Sequence, residues 1–351
     1  MKLEKFLAQL TEIPGVSGYE GRMGDLIGQA FSPYVDEIRK DNLQNLIALK
    51  KGEGENCPSI MLAAHMDEIG LMVAKIEEKG FLRITSIGGV DERTILAQEV
   101  TVHGKKPLYG IVGAKPPHLQ EPDERKKAVK MEDLYVDCGL PEEKIRELVR
   151  VGDPITVNRE YTSLHNKRAA AKALDDRAGV AVILEVFKEL QYLKHTVDVY
   201  GVATVQEEVG TRGAFTSTYG IMPDLGIAID VGFGHMPGIL NKEDTINLGK
   251  GAAIGIGPHV HPKIFKKLKE LADELKISYQ LEPSPYPGGT DAYAIQITRS
   301  GVPTGLISIP LRYMHTSVET LDLEDIRTAA RLLAQFIARI DHEFVEGLKC
   351  F

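Results

Sequence analysis

Ser59-Ile60-Met61-Leu62-Ala63-Ala64-His65-Met66-Asp67 is the stretch from which the rest of the chain can be read. Residues 59–64 are apolar almost without a break. A run so short and so continuously apolar is the pattern of a strand buried on both faces. It ends in His65 and Asp67. Upstream, residues 3–10 place Leu3, Phe6, Leu7 and Leu10 on one helical face, residues 20–31 repeat that spacing, and residues 43–49 read as a strand. Downstream, from about residue 165, strands and helices alternate. Helix is expected over 180–190, 264–275 and, as one long final element, 324–344; strand is expected over 197–204, 225–229 and 302–309. Such alternation implies an α/β fold, a mainly parallel (mixed) sheet flanked by helices.

Between these parts the texture changes. Residues 71–76, 81–87, 99–102, 110–112, 134–136 and 155–157 are short candidate strands, punctuated by Gly80, Gly88-Gly89, Gly104 and Pro107. The evident helix among them is 142–149. This reads as a small β-rich, barrel-like insertion. Within it, residues 115–130 are polar and contain proline, as expected of a mobile loop. The expected organisation is therefore an α/β domain made of residues 1–68 and 164–351, interrupted by a β-rich domain over 69–163.

Composition excludes several functions. The 351 residues are 43% hydrophobic and 26% charged, ordinary for a globular protein of about two domains. The net charge of -8 argues against nucleic acid as a partner. The nearest basic run, Glu124-Arg125-Lys126-Lys127, reads as a solvated loop. No apolar stretch approaches the ~20 residues needed to span a membrane. The N-terminus carries acidic residues and no apolar signal core. Cys57, Cys138 and Cys350 are few, odd in number and far apart, which fits a reducing, cytoplasmic location and leaves no CxxC metal site.

Ligands of open α/β sheets gather beyond the carboxyl ends of strands. Nearly every strand in this part of the chain delivers an acid or a histidine there. The strand at 59–64 leads to His65 and Asp67, that at 202–205 to Glu207 and Glu208, and that at 227–229 to Asp230; the strand ending near Pro310 leads to His315. Asp175-Asp176-Arg177 opens a helix. Taken singly, each has an ordinary explanation: a helix cap, a surface charge, a core histidine. Together they do not. Like charges at the ends of apolar strands repel one another and are costly to desolvate, and a cation among them removes both penalties. Histidines and carboxylates without thiolate suit Zn, Co or Mn.

His65-x-Asp67, Ala173-Leu174-Asp175-Asp176-Arg177-Ala178-Gly179, Glu207-Glu208, Asp230 and Arg312-Tyr313-Met314-His315-Thr316, in this order over the whole chain, resemble the M42 family of metallo-aminopeptidases. That family includes glutamyl and large tetrahedral aminopeptidases, and some relatives are labelled endoglucanases. The resemblance implies a dinuclear site holding two divalent metal ions, Zn or Co foremost. Asp175 would bridge them, His65 and Asp230 would complete one, and Glu208 and His315 the other. It implies Glu207 as general base to a metal-activated water, Asp67 as the carboxylate that orients His65, and a cis peptide between Asp175 and Asp176. It implies peptide substrates and a homo-oligomer, possibly a dodecamer, whose contacts involve the inserted domain. Pro287-Gly288-Gly289-Thr290-Asp291 reads by itself as turn chemistry, and the resemblance makes Thr290 and Asp291 candidate substrate contacts. His118 is read as exposed. For both Glu207 and Glu208 to act, the backbone past the strand must turn, because neighbours on an extended segment point to opposite sides.

Three other readings compete. A deacylase or other amidase would use the same dinuclear site. A glycoside hydrolase would use Glu207 and Glu208 as its carboxyl pair, but the chain has no Trp and only 6% aromatics for gripping sugar. A non-catalytic metal protein would have a closed site, and the extra Glu207 beside Glu208 argues against one.

Overall fold

The computed structural model describes residues 1–123, 125–239, 245–286 and 288–349; Glu124, Pro287 and Cys350 of the motifs above lie outside them. The chain opens with α1 (Leu3–Glu12), α2 (Gly21–Phe31), β1 (Glu37–Lys40), β2 (Leu46–Lys50) and β3 (Ser59–His65). Then come β4 (Gly70–Ile76), β5 (Leu82–Ile87), α3 (Glu92–Ile95), β6 (Glu99–His103), β7 (Pro107–Gly113), β8 (Tyr135–Asp137), α4 (Glu142–Leu148) and β9 (Pro154–Val157). The chain continues through β10 (Thr162–Ser163), β11 (Arg168–Ala171), α5 (Leu174–Glu189), β12 (Asp198–Thr204), α6 (Arg212–Ile221) and β13 (Leu225–Phe233). It ends with β14 (Ala253–Ile256), α7 (Pro262–Leu275), β15 (Gln280–Pro283), α8 (Asp291–Ile297), β16 (Thr304–Leu311), β17 (Glu319–Asp322), α9 (Leu323–Ile337) and α10 (His342–Glu346).

The main sheet has eight strands in the order β1-β2-β12-β3-β13-β16-β14-β15. Its centre, β12-β3-β13-β16, is parallel, and β1-β2, β2-β12 and β14-β16 are antiparallel. The parallel centre explains the unbroken apolar runs: β3, β13 and β16 are buried along almost their whole length because helices cover both faces. Helix α5 is buried nearly all round, which is why its sequence is apolar rather than amphipathic. Each large apolar side chain fully buried in this core is worth about 1.5–3 kcal/mol.

The six strands β4 to β9 close into an antiparallel barrel, in the order β4-β5-β8-β7-β6-β9. Its interior is a separate apolar cluster, built from residues such as Leu82, Val100, Val136, Ile145 and Ile155. All six candidate strands of the insertion are present, with ends shifted by a few residues, and α3 is an additional helix there.

Two expectations need correction. The final helix is not continuous: α9 ends at Ile337 and α10 begins at His342, because Asp341 turns out of the helix and accepts a hydrogen bond from Phe344 N. The strand expected over 225–229 runs on to Phe233, so Asp230 lies inside β13 rather than after it. The physical reason is asymmetric pairing. Strand β13 pairs with β3 only as far as Ala228–Ala63, but with β16 as far as Phe233–Leu311. Beyond Ala228 the edge of β13 toward β3 is unpaired while β16 keeps the strand extended, and continuing the register brings Asp230 level with His65, the last residue of β3.

Candidate metal centre

Five side chains converge at the carboxyl end of the parallel strands. His65 is the last residue of β3, Asp230 lies on the released part of β13, and Asp175 begins α5. Glu208 follows β12 after Gln206, which takes a left-handed φ of 56° and supplies the turn the adjacent glutamates require. His315 follows β16, itself at φ 62°. The peptide between Asp175 and Asp176 is cis. Potential ligand atoms of His65, Asp175 and Asp230 lie within 4.8 Å of one another, as do those of Asp175, Glu208 and His315. Asp175 is common to both groups: His65 Nε2 is 3.0 Å from its Oδ1, and His315 Nε2 is 3.4 Å from its Oδ2.

Glu207 belongs to neither group. One of its oxygens comes within 3.9 Å of His65 Nε2, and the other, Oε1, is buried with no hydrogen-bond partner.

The electrostatics are those of a cation site. Burial pushes the Glu207 carboxyl up to about 10, with Asp230, Asp291 and Glu208 adding repulsion against the opposing pull of His65. Burial likewise carries Glu208 up to about 8, with Asp175 as the leading repulsive neighbour. Asp230 is raised well above the carboxylate range by burial. Asp175 goes the other way: burial works to raise it, but hydrogen bonds with His315 and His65 outweigh that and hold it far down. Protein groups alone therefore leave several carboxylates competing for protons. Divalent ions beside them invert that balance, since the ion is the largest local charge. The donor set, two imidazoles and three carboxylates with no thiolate, fits such ions.

Carboxylates behind the ligands hold the arrangement. Asp67 accepts from Glu207 N at 3.0 Å, Glu208 N at 3.2 Å and the Ser17 hydroxyl at 2.6 Å, and its Oδ1 is 3.5 Å from His65 Nδ1. His65 Nδ1 is also 3.3 Å from the Asp67 carbonyl. The sequence reading missed the equivalent on the other side: Glu319 accepts from Asp175 N at 3.1 Å and His315 N at 2.9 Å. It missed Gly89 as well, whose carbonyl takes the His315 Nδ1–H at 2.8 Å and so turns Nε2 toward the centre. A Cβ on Gly89 would stand 2.7 Å from that ring, so this barrel-end glycine is required for close approach. A buried network, in which Glu68 pairs with Arg177 at 3.0 Å and Lys172 at 2.5 Å and Arg177 donates to the Leu10 and Ile13 carbonyls, ties the segment around Asp175 to the end of α1. Nothing in the local sequence distinguishes Glu319 or Glu68 from surface acids.

The centre opens into a cavity of about 670 Å³. Thr290 lines it, while its hydroxyl caps α8 by accepting from Ala292 N. Asp291 lies buried beneath, accepting the Thr204 hydroxyl at 2.5 Å, with its other oxygen unpartnered. His118 is exposed in a short 3-10 turn. No helix among the described residues is long and apolar enough to cross a membrane.

Comparison with known proteins agrees with this geometry. A family model described as M42 glutamyl aminopeptidase matches residues 44–332. The lysyl aminopeptidase of Pyrococcus furiosus is 39% identical over 336 residues, covering 93% of this chain and 94% of the relative. The aminopeptidase APDkam598 of the archaeon Desulfurococcus kamchatkensis superposes with a TM-score of 0.91 at 40% identity, covering 99% of this chain and 98% of the other. The TET1 peptidase of Pyrococcus horikoshii, which can assemble into a tetrahedron or a large octahedral shell, gives a TM-score of 0.85 at 32% identity, covering 97% and 100%. With a family match over most of its length and relatives aligned nearly end to end, the chain belongs to the M42 glutamyl aminopeptidase family and is an aminopeptidase.

Proposed function

We propose that the chain hydrolyses the N-terminal residue of peptides with two divalent metal ions, Zn or Co. The observation that carries this reading is the pair of ligand groups sharing Asp175, with Glu207 beside them and in neither. Asp175, His65 and Asp230 would hold one ion, and Asp175, Glu208 and His315 the other. When bound, the ions supply Lewis acidity, which makes water acidic near neutral pH and polarises the scissile carbonyl. Glu207 then accepts a proton from the attacking water and delivers it to the departing amine nitrogen. Asp67 acts by position: it holds the backbone of Glu207 and Glu208 and faces the far nitrogen of His65. Thr290, on the cavity wall, is the better placed of the two candidate substrate contacts.

The proposed domains are residues 1–68 with 164–351 for catalysis, and 69–163 for assembly. The separate core of the barrel supports that division. The shell formed by the Pyrococcus horikoshii relative supports self-association. A tetrahedral shell holds one copy for each rotation of the tetrahedron, which makes it a dodecamer. Tyr109 and Ile111, exposed on β7, give the barrel an apolar outer face for such contacts.

The test is hydrolysis of aminoacyl-p-nitroanilides by protein treated with EDTA and then resupplied with Zn, Co or Mn. Activity should vanish with chelation, return with metal, and require a free N-terminal amine. Cleavage of N-acylated substrates instead would favour a deacylase, and hydrolysis of a glucan substrate that survives chelation would favour a glycosidase-type carboxyl pair.

A further inference from the structure

The lysyl and glutamyl names among the relatives differ, so the side-chain preference of this chain must be sought in its own cavity. One acid there is unused by the chemistry above. Glu282, on edge strand β15, lines the same cavity as the two ligand groups. Its carboxyl hydrogen-bonds the side chain of Ser308, and its Oε2 is buried with no hydrogen-bond partner. Ser308 is the register partner of Asp230 across the parallel β13–β16 pair. The other oxygen, Oε1, lies 2.7 Å from where a Cβ would stand on Gly232, two residues beyond Asp230 on the same face of β13. Two residues of strand span roughly 6.5 Å, about the reach of a long side chain. Gly232 thus leaves room for a carboxylate one side-chain length from the metal ligands.

The surroundings say what that carboxylate recognises. No Lys or Arg is among the described lining residues. Apart from the two histidines of the ligand groups, the wall carries one imidazole, His259, with both ring nitrogens unpartnered and its pKa lowered by burial, which favours the neutral ring. Phe233, Leu281 and Leu306 provide apolar wall for a methylene stem. A buried carboxylate in such a place is costly until a cation joins it, and a second carboxylate would be repelled.

We propose that Glu282 is the specificity residue of this aminopeptidase, receiving the side-chain cation of an N-terminal lysine or arginine. The proposal rests on the aminopeptidase reading above. It is tested by kcat/KM of the metal-loaded enzyme on Lys-, Arg-, Leu- and Glu-p-nitroanilides, for the wild type, Glu282→Gln and Glu282→Lys. The wild type should favour Lys and Arg. Glu282→Gln should lower the Lys-to-Leu ratio by ~10–10²-fold, mainly through KM. Glu282→Lys should move the preference toward Glu. A ratio unchanged in Glu282→Gln overturns the proposal while leaving the aminopeptidase reading intact, because the Leu substrate is still cleaved. A wild type inert on all four substrates overturns both. Should the variants fail to fold, inhibition of the wild type by lysine and by norleucine reads the same contact: lysine ~10-fold tighter supports the proposal, and equal inhibition overturns it.

Discussion

The main sheet and the barrel solve the problem of burying a strand in opposite ways. Strands β3, β13 and β16 are covered on both faces, so their sequences are apolar throughout and polar groups collect where the strands end. In the barrel, β5 alternates buried with half-buried residues at Leu82–Thr85, and β7 exposes every second residue, Pro107, Tyr109 and Ile111. The sheet therefore has one place for chemistry, its carboxyl edge, where Asp175, Glu207, Glu208 and Asp230 crowd around two imidazoles, His65 and His315. The barrel has a free outer face and no acid cluster of that kind among the described residues. Yet the two are not independent: the turn after β5 reaches the site, where the Gly89 carbonyl orients His315. A difference in how strands are covered thus becomes a division of labour, with one point of contact.

The comparison can be sharpened by experiment. The largest effect is expected at the sheet edge: Glu207→Gln should lower kcat by ~10²–10⁴ while metal content and thermal midpoint hold. Loss of metal in the variant would instead make Glu207 a ligand. In the barrel the expected effect is on stability. Ile145→Ala opens a cavity in the barrel core and should cost about 2–5 kcal/mol. Hydrogen exchange should show protection lost in β4 to β9 and kept in β3 and β13; equal loss in both regions would show one cooperative unit and break the comparison.

The smallest effect tests a buried acid of the sheet region that faces no ligand group. Asp325, on α9, accepts from Gly249 N at 2.7 Å and Gly251 N at 2.8 Å. Burial pushes its pKa from 3.8 to about 6, so the native state keeps a proton that the unfolded chain has lost between those values. Its contribution to stability is full below about pH 4 and is lost as pH rises through about 6. Asp325→Asn should flatten that part of the stability–pH curve and cost about 0.5–1.5 kcal/mol through a lost acceptor. Denaturant midpoints at pH 4.5 and 7.5 that differ as much in the variant as in the wild type would rule this out.

Most members of the two candidate ligand groups were legible because they lie at or near the end of a strand marked by an apolar run: His65 after 59–64, Glu208 after 202–205, His315 beyond β16. Asp175 carried its own signal, two acids opening an apolar helix. Asp230 was legible as a residue but not as a position, since the length of β13 depends on where β3 leaves it. Glu319 was not legible at all. Its role lies in accepting two backbone amides from residues 144 and four positions away, and no periodicity records an acceptor for someone else's backbone. Glu282 was silent for a similar reason: it stands on an edge strand that sequence reading did not detect, and its meaning comes from Ser308 and Gly232 on other strands.

By itself, then, the sequence determined the layer architecture and the barrel-like insertion, because burial on one face or two writes a period into each strand, and it showed acids and histidines collecting at the strand ends. Only the tertiary structure decided that Glu319 holds the backbones of Asp175 and His315, that the Gly89 carbonyl orients the His315 ring, and that Glu282 is the acid left facing the cavity. Those are relations between segments far apart in the chain, set by register and by where neighbouring strands stop, and no local pattern of side chains carries them.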